Sequence, residues 1–339
     1  MSRMKKGFTL ASGISAVAVL ALMPWLSIAQ APAQDWKALN KEAIALYQKG
    51  DVNGALAMGA KTVDAAAAAL GPDHPALATV ISNVAKMLEN SGHQADAEAL
   101  YRRALAIREK FYGPDHLEVA SSLNDLGSVL REEKQYAQAE PLLVRARDIR
   151  EKAMGPDSLE VAMSLNNLAA TYRSLGRYAD AQPLYERSLA IREKKLGPDH
   201  PDVAVSLNNL AALYDAQDQF EKAEPLYRRS LEIRQKALAP DSLELAKSYG
   251  NLGELYLAEH NAIKAEPLLA KAYEIRSKAL AEKNPDRVAA KHDLWALYMF
   301  KGDFGLAAQY AEEGDQSVTE DQRRKLSIPM PVAGSTATK

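Results

Sequence analysis

From about residue 35 to residue 312 the apolar positions keep a helical spacing that breaks and restarts at a fixed interval. Residues 165–200 read LNNLAATYRSLGRYADAQPLYERSLAIREKKLGPDH, and here Leu165, Leu168, Ala169 and Tyr172 fall at i, i+3, i+4 and i+7, on one face of a first helix. Gly176-Arg177 interrupts the pattern, and Ala181, Tyr185, Leu189 and Ile191 give a second helical stripe. The closing Gly197-Pro198-Asp199-His200 returns as Gly71-Pro72-Asp73-His74, Gly113-Pro114-Asp115-His116, Gly155-Pro156-Asp157-Ser158 and Ala239-Pro240-Asp241-Ser242, each 42 residues from the next. A constant period of this size predicts stacked helical hairpins, in which each unit packs only on its neighbours.

A degenerate first unit spans 35–75, with Leu39, Ala43, Leu46, Gly50 and Ala55 in register but Gly59 where an aromatic is expected. Further units start near Ala76, Glu118, Glu160, Asp202 and Glu244, and a seventh begins at Asp286 with Leu294, Trp295, Tyr298, Gly302, Phe304 and Ala307. The glycine of the tag suits a helix end that needs positive φ, and the following proline stops the helix. The acid-x-x-acid spacing of Asp115 with Glu118, Asp157 with Glu160, Asp199 with Asp202 and Asp241 with Glu244 predicts the tag aspartate as N-cap of the next first helix.

Composition narrows the function. The 339 residues are 47% hydrophobic and 25% charged with a net charge of −2, which argues against nucleic acid or another polyanion as partner. With no cysteine, thiol catalysis, disulfides and Cys-type zinc sites are excluded. Arg3, Lys5 and Lys6 precede an apolar run over 8–22, followed by Pro24 and the small-residue pattern Ser27-Ile28-Ala29. Residues 1–29 therefore read as a secretory signal peptide, giving an exported, periplasmic or secreted product. Cleavage after Ala29 is preferred to cleavage after Ala31, which would leave Pro32 behind the scissile bond, and Ala33 is a third option. The alternative is an uncleaved anchor in the inner membrane through residues 8–22. Residues 314–339 read as a mobile C-terminal tail, with room for a short capping helix at 320–325.

Candidate chemistry is sparse. His74, His116 and His200 recur at the repeat period, but packed helices lie roughly 8–10 Å apart, whereas zinc ligands sit about 2 Å from the metal. Ser158 and Ser242 also occupy the same column. No phosphate loop, nucleophile-base set or carboxylate dyad has a supporting context, so no catalytic residue, metal site, cofactor or small-molecule substrate is expected. Arg108, Arg150, Arg192, Arg234 and Arg276, with Glu109, Glu151 and Glu193 beside three of them, predict a solvated, salt-bridged outer face near the second-helix C-termini.

The segments Leu-Asn-Asn-Leu-Ala-x-Leu-Tyr at 207–214, Lys-Ala-Glu-Pro-Leu-Tyr at 222–227 and Gly-Pro-Asp-His-Pro-Asp-Val-Ala at 197–204 resemble the 42-residue tetratricopeptide repeats of kinesin light chains and similar bacterial proteins. The resemblance covers about 35–312. It implies an all-α, right-handed superhelical solenoid of about seven helix-turn-helix repeats over 35–313, whose concave groove holds peptide segments. The heptad coiled coil that joins a light chain to its motor has no counterpart here, so no motor role is expected.

In that architecture the exposed side of the first helices lines the groove. Here it carries Asn83, Asp125, Asn167, Asn209 and Asn251 in one column, with Ser82, Asn124, Asn166 and Asn208 beside them. Asparagine is a poor interior helix residue, and its amide both donates and accepts, as the backbone of an extended peptide requires. Bonding between adjacent repeats is the other use such amides could serve. Arg131 and Arg173 lie farther along the same side, with Lys86 nearby, and suit an acidic group or terminal carboxylate in the ligand. The expectation is a non-enzymatic interaction scaffold that binds a protein or extended peptide segment. The alternatives are a cell-envelope assembly factor using its outer surface and an accessory subunit of an enzyme.

Overall fold

The computed structural model describes residues 35–311; the expectations for 1–29 and 314–339 lie outside the described residues. The described residues form fourteen α-helices and no strand, an all-α repeat solenoid of seven hairpins. The hairpins pair α1 (Trp36–Gln48) with α2 (Val52–Leu70), α3 (Pro75–Asn90) with α4 (Gln94–Tyr112) and α5 (Leu117–Glu132) with α6 (Tyr136–Met154), and α7 (Leu159–Ser174) and α8 (Tyr178–Leu196) follow in the same order along the chain. The series continues through α9 (Pro201–Asp215) with α10 (Phe220–Ala237), α11 (Leu243–Ala258) with α12 (Ala262–Ala279) and α13 (Pro285–Lys301) with α14 (Phe304–Tyr310). The chain divides into two compact units, 35–171 and 172–311 among the described residues, and each is taken by itself.

In unit 1 the core joins Leu77, Ile81, Val84 and Leu88 of α3 to Leu100, Tyr101 and Ala104 of α4 and to Leu126, Val129 and Leu130 of α5. In unit 2, Val203, Ala204 and Leu207 of α9 pack with Ile233 of α10. Small residues set the spacing within a hairpin: a Cβ added at Gly127 would lie 2.6 Å from Leu143 Cγ, and one at Gly253 would lie 2.6 Å from Leu269 Cδ2. Gly71, Gly113, Gly155 and Gly197 end their helices with φ between 82° and 88° and ψ near 160°, a region that side chains disfavour. Where Ala239 replaces the tag glycine, α10 ends one position earlier, on an extended Leu238.

The caps differ from expectation. The next residue of the tag, not its aspartate, caps the following helix. His74, His116 and His200 accept the amides of Ala76, Glu118 and Asp202 on Nδ1, each at 3.1 Å. Ser158 and Ser242 accept those of Val161 and Leu245 at 3.2 and 3.1 Å. An imidazole nitrogen and a hydroxyl both accept, which explains how histidine and serine share one column. Asp73 and Asp115 instead pair with Lys110 and Lys152.

The arginine column is also corrected. Arg108, Arg150 and Arg234 are only 6%, 3% and 8% exposed, so they form no solvated face. Each reaches into the next first helix: Arg108 Nη1 donates to Ser122 Oγ at 2.5 Å, Arg150 to Ser164 at 2.6 Å, Arg192 to Ser206 at 2.8 Å and Arg234 to Ser248 at 2.5 Å. Burial lowers the pKa of Arg150, Arg192 and Arg234 without neutralising them. A buried cation is tolerated only when hydrogen-bonded, so these contacts staple one hairpin to the next. The expected outer ion pairs belong to other arginines. Arg145 bonds Glu109 and the Pro114 carbonyl, and Arg229 bonds Glu193 and the Pro198 carbonyl.

Candidate ligand-binding face

The first helices turn leucines and alanines inward, which leaves the opposite side of each helix to polar columns. In unit 1, Asn124 is buried, 7% exposed, and its Oδ1 accepts from Asn167 Nδ2 at 2.8 Å. In unit 2, Asn208 is 5% exposed and its Oδ1 accepts from Asn251 Nδ2, also at 2.8 Å. Each rung links two successive first helices inside its own unit and holds the Asn167 or the Asn251 amide in place. Asn83, Asn167 and Asn251 are half-buried on the surface of their helices. Asn166 and Asn209 have polar partners of their own. Asn124 and Asn208 thus support the face, while Asn83, Asn167 and Asn251 lie at it.

The charged residues along the same side differ between units. In unit 1, Glu89 is buried and accepts from Lys86 Nζ and from the Tyr101 hydroxyl, both at 2.7 Å. Burial, reinforced by Glu89, pushes the Tyr101 hydroxyl pKa well above its usual value. Burial likewise raises the Asp125 carboxyl, with Lys86 and Arg108 opposing. Ser82 is taken by Arg108 Nη1 at 3.1 Å. Arg131 Nε is buried without a hydrogen-bond partner.

In unit 2, Arg173 lies close enough to Asp215 to oppose the upward push that burial gives its carboxyl. The Tyr227 hydroxyl donates to Asp215 Oδ2 at 3.4 Å. Glu254 and Asp293 follow on α11 and α13, and Arg276 of α12 acts on both.

Sequence reasoning passed over Glu89, Asp215, Glu254 and Asp293. The signal was in the period: Glu89 and Asp215 stand in the Arg131 and Arg173 column, and Asp293 stands in the Asn251 column. Among the described residues no group of His, Cys, Asp and Glu is arranged to hold a metal, and no helix is long and apolar enough to cross a membrane. A hollow of about 510 Å³ beside α6, lined by Asp115, Pro141, Arg145 and Lys152, lies away from the amide column.

The hairpins also resemble known structures. BtubC (BKLC) from P. vanneervenii is 24% identical, with 75% of this chain and 93% of that one covered and a TM-score of 0.53. A putative kinesin light chain with nearly identical TPR-like repeats from Podosopora anserina is 25% identical, covering 62% and 99%, with a TM-score of 0.50. A Rap protein complexed with competence and sporulation factor shares the fold at 16% identity, covering 86% and 74%, with a TM-score of 0.60. Comparison with curated proteins gives no match. The tetratricopeptide repeat model matches residues 37–110, 95–152, 118–194 and 160–236, more than half of the chain. Hairpins that repeat every 42 residues, joined by arginine staples and asparagine rungs, are what that match describes in atomic terms. This chain belongs to the tetratricopeptide repeat family, whose fold is generally a non-enzymatic scaffold typical of protein–protein interaction.

Proposed function

We propose that the chain binds an extended peptide or protein segment along the polar side of its first helices. The observation that carries this reading is the rung geometry. Asn167 and Asn251 each commit Nδ2 to a buried neighbour at 2.8 Å, which fixes the amide and leaves its Oδ1 as the acceptor for a ligand's backbone N–H. A pre-oriented acceptor limits the ordering cost of gripping a flexible segment. Within unit 1, Asn83 and Asp125 extend the side that carries Asn167, and Arg131, with its buried unpaired Nε, suits an acidic side chain or terminal carboxylate; Arg173 is the corresponding cation of unit 2. The Rap neighbour, complexed with its factor, gives the reading a precedent on a shared fold.

Selection from a random peptide library, followed by titration of the selected peptides, tests it. Asn167→Ala and Arg131→Ala should each weaken binding by about tenfold, the equivalent of about 1.4 kcal/mol. Peptides that ignore both substitutions but respond to Arg145→Glu on the second-helix side would overturn it in favour of an outer-surface role. We further propose export, supported by the basic, apolar and small-residue succession of 1–29. A product purified from cells whose mass retains those residues would count against cleavage.

A further inference from the structure

The first helix of the seventh hairpin breaks a rule that α9 keeps. In α9, Val203, Ala204 and Leu207 are each 0% exposed and pack with Ile233 of α10. Two periods of 42 residues later, the same columns of α13 hold Arg287, Val288 and Lys291, all half-buried. Two periods after Ile233 comes Ser317, so the apolar partner is missing from the other side as well. Charge has entered core columns, and a cation held at such a place demands an anion beside it.

The columns face an open space. Arg287, Val288 and Lys291 line a hollow of about 710 Å³ together with Tyr273 of α12, Glu282 and Lys283 of the connection before α13, and Ala311. Three cations share that lining with one carboxylate. Two of the three are anchored to backbone. Arg287 Nη1 donates to the Ser277 and Leu280 carbonyls at 3.1 and 3.0 Å, and Lys291 Nζ donates to the Ala311 carbonyl at 3.2 Å. α14 brings the chain to this point: Tyr310 meets Tyr273 edge-on with ring centres 5.6 Å apart. The helix then closes, and Ala311 is extended with φ −68° and ψ 145°.

We infer that the hollow is the seat of this chain's own residues 312–321, held there by charge. The segment opens Glu312-Glu313-Gly314-Asp315 and goes on to Glu320 and Asp321, five carboxylates with no cation before Arg323. It leaves from Ala311, a residue of the hollow's own lining, so no linker has to be spanned. Tethering at such short range gives an effective concentration on the order of millimolar, which favours the attached segment over a dilute acidic peptide. The seat uses the core columns of the first helices and is therefore independent of the polar columns proposed to bind a ligand. Its ion pairs are partly open to water, which makes the docking weak and sensitive to salt.

Hydrogen exchange on the full chain, with intrinsic rates divided out, reads the docking directly. At low salt the 312–321 amides should be protected on the order of tenfold, and about 1 M salt should remove most of that protection. Glu312→Gln, Glu313→Gln and Asp315→Asn together lie outside the fourteen helices and should return the segment to intrinsic rates while α9 amides stay level. Lys283→Glu with Lys291→Glu should do the same from the other side, and adding Glu312→Lys and Glu313→Lys should bring protection back. A wild-type segment that exchanges at intrinsic rates, or protection that survives the three neutral substitutions, would overturn the inference. A free peptide of the 312–321 sequence that binds the wild type as well as it binds the neutralised variant would also overturn it, because the hollow would then be open to an outside partner.

Discussion

The fifth-to-sixth and sixth-to-seventh junctions use the same helix positions and the same arginine column, yet one buries its guanidinium and the other does not. Arg234 is 8% exposed because Ser248 Oγ accepts its hydrogen bond across the junction. Arg276 has the same stem and faces Ala290, so burial would leave its donors unmatched. What decides the fate of a repeated residue is its partner one repeat away. The largest expected effect separates the two junctions. Arg234→Ala should cost about 2–3 kcal/mol, from a charged hydrogen bond plus the packing of the stem. Arg276→Ala should cost under about 1 kcal/mol, as partly exposed ionic contacts do. Urea unfolding of the two variants measures the difference, and equal losses would erase the distinction.

A second partner dependence lies inside the hairpins, and it shows what the sequence could and could not tell. The interchange of Gly127, Ala169, Ala211 and Gly253 in one column was readable as a demand for a small residue. Its coupling to the facing column was not: glycine accompanies Leu143 and Leu269, while alanine accompanies Tyr185 and Tyr227. The structure supplies the cause. A branched leucine points its Cγ at the glycine, 2.6 Å from any added Cβ at position 127. Gly127→Ala should therefore destabilise by about 1–3 kcal/mol through overpacking. Adding Leu143→Tyr should recover most of the loss, and a double variant no better than the single one would break the pairing rule.

Helices, hairpin number and unit starts were legible because the apolar stripe and the Gly-Pro-Asp tag repeat with one period. The roles of the polar columns were less so. A surface position and a buried, hydrogen-bonded one share the same periodicity, and only the residue across the junction tells them apart. For that reason Arg108 and Arg150 read as solvated when they are stapled to Ser122 and Ser164. Asn124 and Asn208 read as groove residues and prove to be buried acceptors for Asn167 and Asn251.

If the missing acceptor alone keeps Arg276 out of the junction, returning it should restore the staple. Ala290→Ser places a hydroxyl where Ser248 stands in the preceding repeat, and should stabilise the seventh hairpin by about 1 kcal/mol, the usual net worth of a hydrogen bond. It should also draw the guanidinium away from Glu254 and Asp293. Thermal melting reads the gain. A loss of stability would mean that the pocket around Ala290 is too tight for the oxygen.

The smallest effect tests the opposite case, a column in which the partner never changes. His116 caps α5 by accepting the Glu118 amide at 3.1 Å, and Ser158 performs the same service for α7 through the Val161 amide. Here the acceptor's partner is backbone, which every sequence supplies. His116→Ser should change stability by no more than about 0.5 kcal/mol, whereas His116→Ala removes the acceptor and should cost about 1 kcal/mol. Tyr112 stacks on the imidazole with ring centres 4.3 Å apart, so a deficit in the serine variant measures that contact and not the cap. Equal damage from serine and alanine would show that stacking, and not acceptance of the amide, is what the His116 ring provides.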